Sequence, residues 1–247
     1  MTLALYLVAP GVLDATRTGD VVVLDGPEGR HAATVKRTKV GERLRLSDGV
    51  GRVVTGEVAS VDRDRLTLRA ESIDDVPEPS PRFVLVQALA KGDRDDQAIE
   101  AATELGVDEI VPWQASRSIV QWRGDRGAKA WAKWDGVLVA ATKQSRRPRR
   151  PVLSPASTTT ALADRIAAGA TAYVLHEAAD EPLAALTLPS EGDVLVIVGP
   201  EGGIAPEELD TLRSAGASVV RLGDTVLRSS SAGPAALAVL SAATRWR

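Results

Sequence analysis

The chain has 247 residues, with 30 Lys+Arg against 33 Asp+Glu and a formal charge of −3. That balance argues against a protein that coats nucleic acid through surplus positive charge. There is no cysteine and the only histidines are His31 and His176. This excludes disulfides, Cys-ligated zinc, iron–sulfur clusters and Cys nucleophiles, and leaves no His-rich metal site.

The opening run, MTLALYLVAPG, lacks the basic flank of a secretion signal and reads as a buried strand. No apolar stretch approaches the length of a membrane span, so the expected location is the cytoplasm. Residues 1–74 look β-rich. Val21 to Leu24 is a short apolar run, Arg43 to Leu46 alternates before an Asp48-Gly49 turn, and Val53 to Val61 and Leu66 to Leu68 follow. Glu28 to Lys39 reads as one short helix among them, which together suggests a small barrel. Residues 75–82, DVPEPSPR, hold three prolines and form the expected linker.

Residues 83–247 alternate strand and helix. Strands are expected at 83–89, 109–111, 118–121, 171–175, 193–199 and 218–223. Helices are expected at 95–105, around Trp131, Trp134, Leu138 and Ala141, at 159–168, at 206–215 and at 234–246. Such alternation implies a mostly parallel α/β sheet with ligands at the C-terminal ends of its strands. Asp93, Asp95 and Asp96 read as charges favoured at a helix N-terminus rather than a metal site. The two tryptophans read as core or dimer-packing residues.

Charge divides unevenly. Residues 136–163 hold five basic side chains and no acidic one, although the whole chain is acidic. These are Lys143, Arg146, Arg147, Arg149 and Arg150. A second cluster carries Arg30, Lys36, Arg37, Lys39, Arg43 and Arg45 against Glu42 alone. One such cluster is ordinary solvated surface. Two, one per domain, favour a phosphate-rich partner, with Arg30, Lys36, Arg37 and the five basic residues of the later segment as contacts.

Two loops stand out. Val198-Gly199-Pro200-Glu201-Gly202-Gly203 follows a buried strand and precedes a helix. It is neither a P-loop nor a dinucleotide fingerprint. Its glycines suit close backbone approach to a ligand, and equally a tight turn. Leu222-Gly223 begins the second loop, which continues through Val226, Leu227 and Arg228 to Ser229-Ser230-Ser231. Those serines are placed to cap the last helix, Ser231 above all.

Together these loops resemble the 16S rRNA (uracil-N3)-methyltransferases of the SPOUT superfamily. His31, Val35 and Arg37, Gly41, Asp48-Gly49, Glu104 to Val107, and Lys143-Gln144-Ser145-Arg146 extend the likeness over nearly the whole chain. The resemblance implies a PUA-like N-terminal barrel and a C-terminal α/β domain with a trefoil knot. It also implies a homodimer, S-adenosylmethionine as cofactor, and 16S rRNA or the 30S subunit as partner, with no metal and no membrane. Three loops would hold the cofactor: Leu175-His176-Glu177, Val198 to Gly203, and Leu222 to Arg228. The family's common Leu-Arg-Thr-Glu-Thr is here Leu-Arg-Ser-Ser-Ser, so no carboxylate stands at Ser230.

Methyl transfer from a sulfonium needs alignment more than a strong catalyst. Uracil N3 must lose a proton, and a cation near O2 or O4 stabilises the charge that develops. Arg228 is the candidate, its alternative being a structural ion pair with Glu201. Glu201 is the second catalytic candidate, read as a loop organiser before a base. His176 reads as structural or as a ligand contact. Without cysteine the chain cannot methylate pyrimidine C5 through a Cys adduct. Ribose 2′-O-methylation and a non-catalytic role in ribosome assembly remain as alternatives.

Overall fold

The computed structural model describes residues 3–246, so Met1, Thr2 and Arg247, at the ends of the expected domains, lie outside the described residues. The chain forms two compact units. One comprises Met1–Glu78 with Thr142–Arg150, the other Pro79–Ala141 with Pro151–Arg247.

The first unit is built on a five-stranded mixed sheet in the order β1-β3-β4-β5-β2, open at its β1 and β2 edges. Its strands are β1 (Ala4–Leu7), β2 (Val21–Leu24), β3 (Arg43–Ser47), β4 (Arg52–Val61) and β5 (Leu66–Asp75). In β3 the alternation works as expected: Leu44 and Leu46 are buried, while Arg43 is exposed and Arg45, between the two leucines, is half-buried. β5 is far longer than its short apolar start suggested. Antiparallel pairing with β4 carries it to Asp75 through polar residues.

The expected helix over 28–39 divides in two. α1 (Gly26–Arg30) starts with Pro27 in its first turn, where a missing N–H does no harm. A π-helical turn, His31–Val35, follows, with the Lys36 N–H donating to the His31 carbonyl at 2.9 Å. β-branched Thr34 and Val35 disfavour continuing the helix, and the Thr34 hydroxyl donates instead to the Arg63 carbonyl at 2.7 Å.

Residues 142–150 are held to this unit by several bonds. Lys143 Nζ lies 2.6 Å from Glu28 Oε1, the Ser47 hydroxyl donates to the Pro148 carbonyl at 2.7 Å, and the Arg150 N–H donates to Gly49 O at 2.8 Å. Arg149 Nε reaches the carbonyls of Val76 and Pro77 at 3.0 and 3.1 Å.

The second unit has a six-stranded, all-parallel sheet ordered β11-β9-β10-β6-β7-β8. Its strands are β6 (Arg82–Ala88), β7 (Glu109–Trp113), β8 (Val152–Leu153), β9 (Thr171–Leu175), β10 (Asp193–Val198) and β11 (Ser218–Val220). The helices are α2 (Arg94–Glu104), α3 (Gly124–Ser145), α4 (Thr159–Ala167), α5 (Pro206–Ser214) and α6 (Ser229–Ala243). Central strands covered on both faces read as unbroken apolar runs. In β6, Phe83 and Leu85 enter one core, shared with Ile99, Leu138 and Leu237. Val84 and Val86 enter the other, shared with Leu162, Ile166 and Leu212.

Trp134 is buried and meets Trp122 edge-to-face at 4.8 Å, whereas Trp131 is part-exposed and donates to the Ser154 carbonyl at 3.2 Å. The strand expected at 118–121 is absent: no neighbouring strand receives it, and the Ser118 N–H closes a turn onto Ala115 O. α6 begins five residues earlier than expected and carries Pro234 inside it.

A charged network lies at the N-terminal ends of the strands. Glu109 accepts both guanidinium arms of Arg165 at 2.8 and 2.9 Å and the Ser154 hydroxyl at 2.7 Å. Asp193 meets Arg165 at 2.5 Å and Arg82 at 3.1 Å. Burial alone would raise the Glu109 carboxyl, but the hydrogen bonds of Arg165 and Ser154 and the charges of Arg165 and Arg82 hold it below its ordinary range. The end of α6 is tied down by Arg245, whose guanidinium stacks 3.9 Å from the Phe83 ring centre and bonds to Gly106 O, Pro81 O and Asp108.

Candidate functional site

The polar loops of the second unit gather at the opposite, C-terminal ends of its strands, as expected for an open parallel sheet. Those after β9, β10 and β11 enclose a cavity of about 400 Å³, within the usual size of small-molecule sites. Leu175, His176, Glu177, Val198, Gly199, Pro200, Glu201, Gly203, Val226, Leu227 and Arg228 all line it. Leu222 and Gly223 line a smaller adjoining recess of about 80 Å³. Gly202 faces away, with its carbonyl accepting from Arg117 Nη1 at 3.2 Å. The three loops separated in sequence thus meet around one space.

A roomier, more open groove of about 1030 Å³ lies on the first unit, bordered by Arg30, His31, Val35 and Arg63. It has no converging strand ends or glycine turns, so the second-unit cavity is the better candidate for chemistry.

Local packing explains the glycines. A Cβ on Gly199 would stand 2.6 Å from Ile204 Cγ1, so only glycine lets Ile204 close the wall. A Cβ on Gly233 would stand 2.8 Å from Leu85 Cδ1, and its absence lets α6 lie directly on β6. This packing places Arg228 and Ser229, at the N-terminus of α6, in the cavity wall.

Two expectations change here. Glu201 does not pair with Arg228. Its Oε1 accepts from Arg94 Nη1 at 2.9 Å, from the first turn of α2. The Arg228 guanidinium has no hydrogen bond or ion pair among the described residues and is exposed at the cavity. The three serines do not cap α6: Arg228 occupies the cap position without a side-chain bond, and Ser229 to Ser231 form the first turn. Proline punctuation hid this, because the helix starts a full turn before Pro234.

Arg94, Ile204, Ser229 and Ala232 also line the cavity and escaped the sequence reading as site residues. Arg94 stands 107 positions from Glu201, so no local spacing announces the pair. Arg117 holds the Gly202 carbonyl from another loop, and its turn is fastened in place. Glu208 accepts from the Ser116 N–H at 3.0 Å, the Ser116 hydroxyl at 2.8 Å and the Thr159 hydroxyl at 2.7 Å. Burial would raise the Glu208 carboxyl, but these bonds hold it below its ordinary range.

His176 Nδ1 accepts the Ala178 N–H at 3.1 Å, which leaves Nε2 as the ring's donor toward solvent or ligand. Next to Arg94, Asp95 is buried. Loss of hydration and the neighbouring Asp96 charge push its carboxyl up to about 6. Asp96 pairs with Lys133 at 2.5 Å, and Asp93 lies 3.5 Å from the same amine.

The basic residues separate by environment. Arg30, Lys36, Arg37 and Arg146 are exposed without partners among the described residues. Lys143 and Arg149 are committed to the bonds given above, and Arg147 and Arg150 are engaged by neighbours as well.

Comparison with known proteins agrees with this architecture. An RNA methyltransferase domain family matches residues 77–241, and an RNA methyltransferase PUA domain family matches residues 24–71. A ribosomal RNA small subunit methyltransferase E of Mycobacterium bovis is 45% identical over 234 residues, covering 93% of this chain and 89% of its own. The Bacillus subtilis protein of the same name is 26% identical, covering 88% of each chain. The crystal structure of the Neisseria gonorrhoeae protein of that name, bound to S-adenosylmethionine, superposes with a TM-score of 0.86 at 26% identity over 98% of both chains. This chain belongs to the ribosomal RNA small subunit methyltransferase E family.

Proposed function

We propose that the chain transfers the methyl group of S-adenosylmethionine to N3 of a uridine in 16S rRNA. The observation that carries the proposal is the meeting of three separate loops around one cavity beside an unpaired arginine. The cavity suits the cofactor on its own terms. It has apolar walls from Leu175, Val198, Ile204 and Leu227, a glycine turn that leaves no room for a Cβ, and a Ser229 hydroxyl buried without a hydrogen-bond partner. A buried hydroxyl of that kind is satisfied when a ligand or water supplies the bond.

S-adenosylmethionine supplies a methyl carbon bonded to a positively charged sulfur. The residues after β9 and β10, with Leu222 to Arg228, hold it. Glu201, fixed by Arg94, organises the glycine turn. Arg228 faces the uracil carbonyl oxygens, where its charge favours loss of the N3 proton. The N3 lone pair then forms the new N–C bond as the S–C bond breaks, and the proton passes to solvent.

RNA is held by Arg30, Lys36, Arg37 and Arg146, while Lys143, Arg147, Arg149 and Arg150 serve the fold first. A homodimer acting on the assembled 30S subunit in the cytoplasm completes the reading, with the knot of the family in the second unit. No helix among the described residues is long and apolar enough to cross a membrane. The test is methyl transfer to 30S subunits and to free 16S rRNA, followed by nucleoside mass spectrometry. N3-methyluridine is the expected product. A 2′-O-methylated nucleoside, or no transfer by folded protein, overturns the proposal. Light scattering checks the dimer.

A further inference from the structure

Thirteen glycines sit at positive φ, and among the described residues just two others do: Arg37 at +54° and Arg146 at +57°. In that region the Cβ of any L-residue crowds the following carbonyl, a strain that glycine avoids. Both arginines terminate helices. Arg37 follows the π-turn, where the Thr38 N–H returns to Ala32 O at 3.1 Å. Arg146 follows α3, where its own N–H reaches Lys143 O at 3.2 Å and the Arg147 N–H reaches Thr142 O at 3.0 Å. Glycine is the usual residue at such a position.

Neither side chain compensates within the fold. Both are exposed, with no hydrogen bond or ion pair among the described residues. The contrast with Lys143 and Arg149 in the same stretch is direct, because those two make structural bonds. Both strained arginines belong to the first unit, and the Lys143–Glu28 pair brings the end of α3 against α1. The two basic clusters therefore meet on one body.

We propose that Arg37 and Arg146 are phosphate contacts, kept in left-handed backbone to present their guanidinium groups to the RNA chain. The inference rests on the RNA-methyltransferase reading and selects, from eight basic candidates, the two that the fold retains against its own preference. Arginine binds phosphate oxygens through two parallel N–H donors, so the partner's recognised chemistry is the phosphodiester backbone.

The test uses the full-length protein with Arg37→Gly, Arg146→Gly, Arg146→Ala and Arg146→Lys. Each variant is measured for urea unfolding, for S-adenosylmethionine binding, and for binding to a 16S rRNA fragment over a series of salt concentrations. Each glycine variant is expected to raise the folding equilibrium constant about two- to five-fold, since it relieves the strain. Each should also weaken RNA binding, with the slope of log K against log salt shallower by about 0.7 to 0.9. Arg146→Ala should lose the RNA contact without the gain in stability, Arg146→Lys should keep the salt slope but recover only part of the affinity, and cofactor affinity should be unchanged throughout. Unchanged RNA affinity and slope in both glycine variants overturns the inference, as does a fall in stability, which would give the side chains a structural task. The broader reading fails separately, if the unaltered protein neither binds the RNA nor methylates it.

Discussion

Gly199→Ala isolates one steric contact at the cavity wall. Gly199 lies outside the left-handed region, so alanine carries no backbone penalty there and the perturbation is the methyl alone. That methyl would sit 2.6 Å from Ile204 Cγ1, 3.3 Å from Cδ1 and 3.5 Å from the Ile204 backbone nitrogen. Ile204 is 6% exposed and lines the cavity, so it has little room to retreat except into the space meant for the cofactor. Overpacking of this kind costs about 1–3 kcal/mol. Expressed at the loop, that is about 5- to 150-fold in affinity. Titration calorimetry with S-adenosylmethionine, on variant shown to be folded by circular dichroism, measures it. Ile204→Ala removes both atoms in conflict. In the double variant the Gly199→Ala effect on binding should largely disappear, a coupling that a double-mutant cycle reads directly. Gly199→Ala binding within two-fold of the original protein, or purely additive effects in the cycle, would refute the reasoning.

Arg94→Ala releases Glu201; the pair is part-exposed, so the expected loss of cofactor affinity is modest, up to about 1 kcal/mol. Arg94→Lys should recover part of it in the same titration. Glu201→Gln should resemble Arg94→Ala, and the two changes together should cost no more than one alone. Asp95 has a raised folded-state pKa of about 6, so its ionisation opposes folding once the pH exceeds the unfolded value. Asp95→Asn should therefore stabilise at pH 8 by on the order of 1–3 kcal/mol, the gain fading between pH 6 and 4; a pH-independent gain in urea unfolding contradicts this. Glu109 titrates below its ordinary range, so its contribution is present above about pH 4.5 and is lost as the pH falls through the lower folded value. Glu109→Gln leaves Arg165 short of a buried partner and should destabilise by about 3 kcal/mol at neutral pH, while flattening the acid limb of the stability curve.

The sequence made the second unit legible because buried parallel strands leave long apolar runs, as in 193–198, and glycine turns mark where they end. It made the cavity legible because its three walls carry local patterns at strand ends. Pairings between distant segments were hidden, since nothing near Glu201 announces Arg94. The split of the first helix was hidden too, because a single five-residue π-turn is too short for its wider repeat to show in the apolar pattern. Charge counting exposed the basic stretch at 143–150 but could not divide it. Lys143 and Arg149 differ from Arg146 only in what the fold places beside them: Glu28, and the carbonyls of Val76 and Pro77.

The membership of residues 142–150 in the first unit also orders events during synthesis. The unit cannot be cut out as a single segment, because its last nine residues are made after the chain has passed through Pro79–Ala141. At about 5–20 residues per second, some 4 to 14 s separate Glu78 from Arg150 at the ribosome. For that interval Glu28 lacks its lysine and the Val76 and Pro77 carbonyls lack their guanidinium. A fragment ending near residue 78 is therefore a nascent form rather than a domain, and its final closure waits on α3.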